Sequence, residues 1–382
     1  MIIKYSDLVK VTLSLVIFMW SYSVSFGAFD LGVHLIALLF FGIYFRLRVD
    51  INYKNDLLII CLIGIYSIIV SFINSDTSSF FRIILSSFLF MLSQFCILTL
   101  VTMFDFEKKM FFNSKLIIFL IFLPLTIDAI NYYPGQLRFG GLFKEPSHLA
   151  ISITPYLFYL LDAAKSKIKF YFIILFPIII LSFSSTLIMS ILFLLSVDKL
   201  RKSKKSFLIY TLFFLIPLIV FLVNYVDYIN LRVQDVINVA VTSNPSSLVY
   251  IYGWESMFFY LKESLSLGIG LNGMGLPPFP EVNSAFLLAS PDGDIYKNPD
   301  GSFLVSKIIS ELGFVGILLI IFVFRFLIKT FRHYETYNSI EQFFWNTLAL
   351  LFFTAFIRGV GFFDGPFIMG SISYFVLKRK YI

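Results

Sequence analysis

The sequence predicts an all-α polytopic membrane protein of about twelve transmembrane helices, on three observations. Of 382 residues, 59% are hydrophobic, only 14% are charged and 49 are Phe. With a mean hydropathy of +0.89, that composition excludes a soluble globular protein. The apolar residues fall in runs of roughly 20, the length a helix needs to cross hydrocarbon, where every peptide group must pair within its own segment. Finally, Lys and Arg cluster in alternate loops, as they do on the cytoplasmic side of membrane proteins.

In chain order the spans fall at about 9–27, 30–46, 57–74, 80–103, 115–132, 148–163, 168–183, 184–198, 206–224, 303–325, 342–359 and 363–377. The beginning, Lys4 and Lys10 ahead of the apolar run 11–26, imitates a signal peptide. The run is long, lacks a good small-residue cleavage site and leads at once into another span, so it reads as a retained helix. The stretch 168–197 divides into two short spans turning near Ser182–Ser185. As one helix it would strand Lys199, Arg201, Lys202, Lys204 and Lys205 outside, and Pro177 would kink it. Both termini are then cytoplasmic, and all but eight of the 30 Lys and Arg are too. Two substantial outer loops remain, 132–147 and 224–302, on a single domain covering 1–382 with no repeat and no soluble module.

Several function classes drop out. The net charge of +7 suits basic loops beside anionic headgroups, and no basic helix or aromatic platform for nucleic acid is present. Cys61 and Cys96 lie inside apolar runs and read as small core residues. No Cys/His spacing suits a metal, and no cofactor is expected.

The eight exceptions are Arg82, Arg138, Lys144, Arg232, Lys262, Lys297, Lys307 and Arg358, all in outer loops or near outer span ends. The acids Asp128, Glu145, Glu255, Glu281, Glu311 and Asp364 share that interface. An ion or proton transporter places ionisable groups near the bilayer middle, where this chain has almost none. Charge gathered at one interface suits an anionic ligand lying at the outer leaflet.

The most informative segment is Arg138-Phe-Gly-Gly-Leu-Phe-Lys-Glu-Pro-Ser-His-Leu-Ala150. Pro146 suits the first position of a helix, so the sixth span starts here with its N-terminus outward. Its free N–H groups and positive dipole end favour an anion. Gly140 and Gly141 let backbone approach a ligand closely. Lys144 and Arg138 add charge, and Arg binds phosphate bidentately. The segment reads either as a diphosphate cradle or as a capped helix start with Glu145 favouring the dipole. Arg82, Arg232 and Arg358 extend the candidate diphosphate site on the same face.

The stretch Gly141-Leu-Phe-Lys-Glu-Pro-Ser-His-Leu-Ala150 resembles the motif of Wzy-type O-antigen and capsule polymerases, within the O-antigen ligase/polymerase superfamily. Trp254 to Gly275, with Leu267-Gly-Ile-Gly-Leu-Asn272, is similar to that family's loop helix and Gly-x-Gly turn. Ser302 to Gly316 is similar to its loop-exit helix, ending Glu311-x-Gly-x-x-Gly316. The O-antigen ligases carry a His near the start of the loop-exit helix, whereas Asp300, Gly301 and Ser302 stand here, which favours polymerase over ligase. Ligases also tend to show an Arg shortly before the loop Trp, where this chain has Tyr250 and Ile251.

The resemblance implies a GT-C-like fold in a bacterial cytoplasmic (inner) membrane, with the active site facing the periplasm. The donor would be a glycan on undecaprenyl pyrophosphate, and the acceptor a sugar hydroxyl of a second lipid-linked repeat unit. Membrane lipids, a chain-length regulator and a repeat-unit flippase are the expected partners. The glycosyl–phosphate bond is already activated, so no nucleotide is required. Departing diphosphate builds charge that preorganised arginines stabilise, and Glu145 or His148 would take the hydroxyl proton. Asp300 and Glu311 are less favoured bases. Tyr250, Tyr252, Trp254 and Tyr260 would cover sugar rings, or equally anchor the bilayer interface. The alternatives are an O-antigen ligase, differing in acceptor, and a lipid-linked oligosaccharide transporter, requiring a through-cavity with buried charge.

Overall fold

A computed structural model describes residues 12, 16, 23–26, 29–74, 77–103, 146–163, 184–203, 234, 245–274, 303–357 and 360–381. These are helical apart from one short ladder and the connections. The ladder pairs β1 (Ser23–Phe26) with β2 (Phe29–Gly32) in antiparallel register, and it corrects the expected first two spans. Apolar β-branched and aromatic residues alternating with Ser and Asp suit a strand there, so the helix that follows, α1 (Val33–Tyr44), is only 12 residues long.

The remaining helices are α2 (Lys54–Asn74), α3 (Thr77–Met103), α4 (Pro146–Ala163), α5 (Ser185–Lys202), α6 (Pro245–Glu263), α7 (Leu304–Phe331), α8 (Ser339–Thr354) and α9 (Gly365–Tyr381). Three described segments are long and apolar enough to cross a membrane: Ile51–Asn74, Phe80–Met103 and Leu304–Phe331. The protein is therefore a helical membrane protein.

Helix starts follow from local chemistry. Pro146 and Pro245 each open a helix, where a missing N–H costs nothing. Ser184 caps α5, its hydroxyl accepting from Leu187 N at 3.3 Å, so a helix begins at the turn expected near Ser182–Ser185. Residues 168–183 lie outside the described set. Asn338 and Glu341 form a reciprocal capping box on α8. That helix stops at Thr354, short of the expected 359.

Contacts sort the helix ends into two groups. At one end, Asp50 N donates to Thr102 Oγ1 (3.1 Å) and Tyr53 OH to Phe375 O (3.2 Å). Lys378 grips Asp56 at 2.6 and 2.8 Å, and Glu341 meets Lys380 and Tyr381. This end carries Arg46, Arg48, Lys54, Arg332 and Arg379 and is called the basic end. At the far end, the His34 ring meets Phe363 O, Asn74 Nδ2 donates to Gly268 O (2.9 Å), and Val305 N donates to Ala355 O (2.9 Å). Successive helices within α1–α3 and within α7–α9 thus alternate in direction. Between the two ends runs one apolar core through α1–α4 and α7–α9, centred on side chains such as Phe41, Ile97, Leu98, Phe343 and Ile368.

The Asp56–Lys378 pair is asymmetric. Asp56 is buried, while the Lys378 side chain keeps 22% exposure at the water-facing basic end. Lys378→Met should therefore cost more thermal stability in detergent, about 3–5 kcal/mol, because it strands a buried carboxylate. Asp56→Asn should cost about 1 kcal/mol, because Lys378 can turn to water. The double variant should recover most of the larger loss, and equal losses from the two single variants would contradict the asymmetry.

Candidate functional site

The far end holds a buried polar construction, built where the loop after α6 meets α7. That loop, 264–274, is held by unusual backbone. Leu265, Ser266 and Asn272 have positive φ (51°, 66° and 62°), as do Gly268 and Gly270 (87° and 89°). Non-glycine residues in this region are strained, and such strain persists only where the surroundings fix it. Here three backbone hydrogen bonds to α7 do so. Ile269 N donates to Ser310 O (3.1 Å), Gly270 N to Glu311 O (2.9 Å), and Phe314 N to Ser266 O (2.9 Å).

The loop fits because α7 is broken at Gly313, whose φ of 57° and ψ of −134° are not helical. A Cβ on Gly268 would stand 2.5 Å from Glu311 O, and one on Gly313 would collide with Ser266 O. Backbone packs against backbone, so both positions require glycine. This accounts physically for the Gly-x-Gly turn and for the first glycine of Glu-x-Gly-x-x-Gly.

Beneath this junction sit Lys307 and Glu311, both with 0% exposure and spaced to share one helix face. The Glu311 carboxylate accepts from Asn272 N at 2.8 Å and from Met274 N at 3.3 Å. Lys307 Nζ donates to Asn272 Oδ1 at 2.9 Å and lies 5.5 Å from the Phe362 ring centroid. Asn272 Nδ2 donates to Ser86 Oγ at 3.2 Å, and Leu271 N donates to Ser67 Oγ at 2.7 Å. Lys307 and Arg82, the latter near the start of α3, both act electrostatically on Glu311. The cluster therefore sets Lys307 and Arg82 against the Glu311 carboxylate.

The sequence-predicted residues distribute unevenly around this junction. Arg82 joins it. His148 lies in the first turn of α4, which starts at the far end and packs mainly on α5 and α8. Arg138, Gly140, Gly141, Lys144, Glu145, Arg232 and Arg358 lie outside the described residues. Tyr250 and Trp254 are half-buried and pack on Phe303, the residue preceding α7, with ring centroids 5.1 and 5.0 Å away. Their rings thereby fasten α6 to the start of α7.

Tyr252 and Tyr260 are corrected as sugar-covering candidates. They keep 6% and 1% exposure, and Tyr260 packs with Ile269 and Met274 under the loop. Burial also raises the Tyr252 phenol above its ordinary pKa. Asn272 was missed by sequence reasoning, although an Asn directly after Gly-x-Gly-x is a position where positive φ and side-chain bridging combine. In the sequence Lys307 and Glu311 stood out only singly, as a charge exception and an interface acid, and their burial as a pair is a finding of the structure.

Compared with protein-family models, with curated proteins and with solved structures, the chain matches none.

Glu311 acts on the loop through charge-assisted hydrogen bonds, each worth about 1.5–3 kcal/mol. Glu311→Ala should accelerate hydrogen exchange of the 264–274 amides by about tenfold or more, since 1.4 kcal/mol is a factor of ten. Glu311→Gln, which keeps one carbonyl acceptor, should show a smaller increase. Unchanged exchange in the Ala variant would mean that the backbone stitching alone fixes the loop.

Proposed function

We propose that this protein is a membrane glycosyltransferase that polymerises undecaprenyl-pyrophosphate-linked oligosaccharide repeat units into an O-antigen or capsular polysaccharide. In this proposal the chain crosses the bacterial cytoplasmic membrane about twelve times with both termini inside, and the far end of the bundle faces the periplasm. One observation carries the proposal: a buried polar junction built on Lys307 and Glu311 lies opposite the basic end of the bundle, with an apolar core between. A transporter of glycans would need polar walls through that middle, whereas the wide cavity among the described helices has almost wholly apolar walls. The loop helix, the Gly-x-Gly turn and the broken loop-exit helix pack together as one unit, in the order that the resemblance to Wzy-type polymerases implies.

The chemistry follows from charge. The acceptor hydroxyl oxygen attacks the anomeric carbon of the donor, and the bond from that carbon to the phosphate oxygen breaks with its electron pair. The lipid diphosphate leaves with growing negative charge, which Arg138, Lys144, Arg232, Arg358 and Arg82 stabilise in this proposal. The hydroxyl proton passes to Glu145 or His148. Glu311 is not assigned this step, because both its carboxylate oxygens already accept backbone N–H groups and it is fully buried. It positions the loop.

Deletion of the gene followed by gel analysis of surface glycan separates the alternatives. Glycan of a single repeat unit is the expected result. Unattached polymer would mean a ligase, and absence of outward glycan a transporter. In the complemented strain, Arg138→Ala should abolish polymer at normal protein abundance. Arg138→Lys should restore only part, because a point charge replaces a planar fork. Full polymer from Arg138→Ala would remove the diphosphate cradle.

A further inference from the structure

The loop 264–274 is paired more completely than a loop in water needs to be. Every backbone N–H from Ser264 to Met274 has an acceptor within the protein. Residues 264–268 donate to the end of α6 and to Ser264. Residues 269–272 and 274 donate to α7 and to Ser67, and Gly273 N to Gly270 O. The carbonyls of Leu267 and Gly268 accept from Tyr66 and Asn74 of α2. Leu265, Ser266 and Leu267 are nevertheless exposed, Leu265 at 85%. Water would serve the N–H groups of exposed residues at no structural cost. Hydrocarbon would not, and irregular backbone persists at membrane depth only where the protein satisfies it.

Depth agrees with this. Lys378 holds Asp56 at the basic end, and at 1.5 Å per residue along α2 Ser67 stands about 16 Å away from it. Ser67 is the acceptor for Leu271 N. By the same count along α8, Ala355, whose carbonyl accepts from Val305 N at the start of α7, stands about 21 Å from Glu341 at the basic end. Ser310 and Glu311, which receive Ile269 N and Gly270 N, lie farther in along α7. A bilayer's hydrocarbon core is about 30 Å thick, so the loop lies inside it.

Direction agrees too. Tyr250 and Trp254 pack on Phe303, and the loop after α6 meets Ser310 to Phe314, so α6 and α7 run inward side by side. The chain goes in along α6 and is back at the far end by Phe303. We infer that α6 and the loop 264–274 form a re-entrant arm, seated in the leaflet at the far end, with Leu265, Phe258 and Phe314 against the acyl chains of bilayer lipid. Phe258 and Phe314 are 64% and 58% exposed. Lys262 and Glu263 are exposed as well, at the inner end of a helix whose N-terminus points outward. Side chains lean toward that terminus, so their charges lie shallower than their backbone. This part of the expected outer loop 224–302 is then in lipid rather than in water, and the Lys307–Glu311 junction is carried below the membrane surface with it. The assignment is independent of the reaction proposed above.

The test reads depth with a nitroxide. Full-length protein carrying Cys61→Ala and Cys96→Ala receives a single cysteine at Leu265 or at Phe258, is spin-labelled, and is reconstituted into phosphatidylethanolamine–phosphatidylglycerol vesicles. Relaxation is measured with oxygen, which concentrates in hydrocarbon, and with a neutral nickel chelate, which stays in water. Labels at Ile321, on the exposed face of α7, and at Glu335, exposed at the basic end, calibrate lipid and water. Phe258 lies on ordinary helix, so its label decides the matter where the strained backbone at Leu265 does not tolerate one. Oxygen should dominate at both sites, as at 321. Nickel collisions at either site as frequent as at 335 would put the arm in water. Rare collisions with both reagents would put protein over it. Either result would overturn the assignment.

Discussion

The far end of this protein is organised by one buried charge couple that must be satisfied from above. Lys307 and Glu311 are both completely enclosed, and two isolated charges there would be prohibitive. One loop supplies partners to both: two backbone N–H groups for the carboxylate and the Asn272 amide for the ammonium. That loop can reach them only because α7 breaks at Gly313, and because Gly268 brings its backbone against that of Glu311 without a side chain between. Charge, glycine and strained backbone are thus one device. Removing any of the three would leave the others without a reason.

From this junction the surrounding architecture follows. Asn74 and Tyr66 of α2 hold the loop by the carbonyls of Gly268 and Leu267, and Ser67 and Ser86 add hydroxyls from α2 and α3. The loop therefore ties α2 and α3 to α7, above the apolar cavity between α2 and α7. Tyr250 and Trp254 brace the helix before the loop against Phe303.

The class of protein and most of the described helix positions were legible in the sequence, because hydrocarbon imposes a run length and because Pro146 and the turn near Ser182–Ser185 mark helix starts by local chemistry. The ladder at 23–32 was not legible, since a short apolar strand and the end of an apolar helix share one composition. In the candidate site, Arg82 and the glycines were singled out from sequence, but Glu311 was read as a lesser candidate base and Asn272 received no role. Their importance depends on pairing across 39 and 35 residues, which spacing along one segment does not reveal. The tyrosines misled for a related reason. Tyr250 and Tyr252 are two apart on one helix, and only the packing decides that the first stays half-exposed while the second is buried.

In the proposed function, the Lys307–Glu311 junction serves glycosyl transfer by positioning the loop and does not serve stability alone. The direct measurement is polymer formed in vitro from purified protein and lipid-linked repeat by the double variant Lys307→Met/Glu311→Gln. Removing both charges together avoids stranding either one, so the protein should remain folded, as its thermal unfolding measured beside the assay shows. The account predicts a folded protein that makes no polymer. Polymer at the wild-type rate from that folded double variant would contradict it.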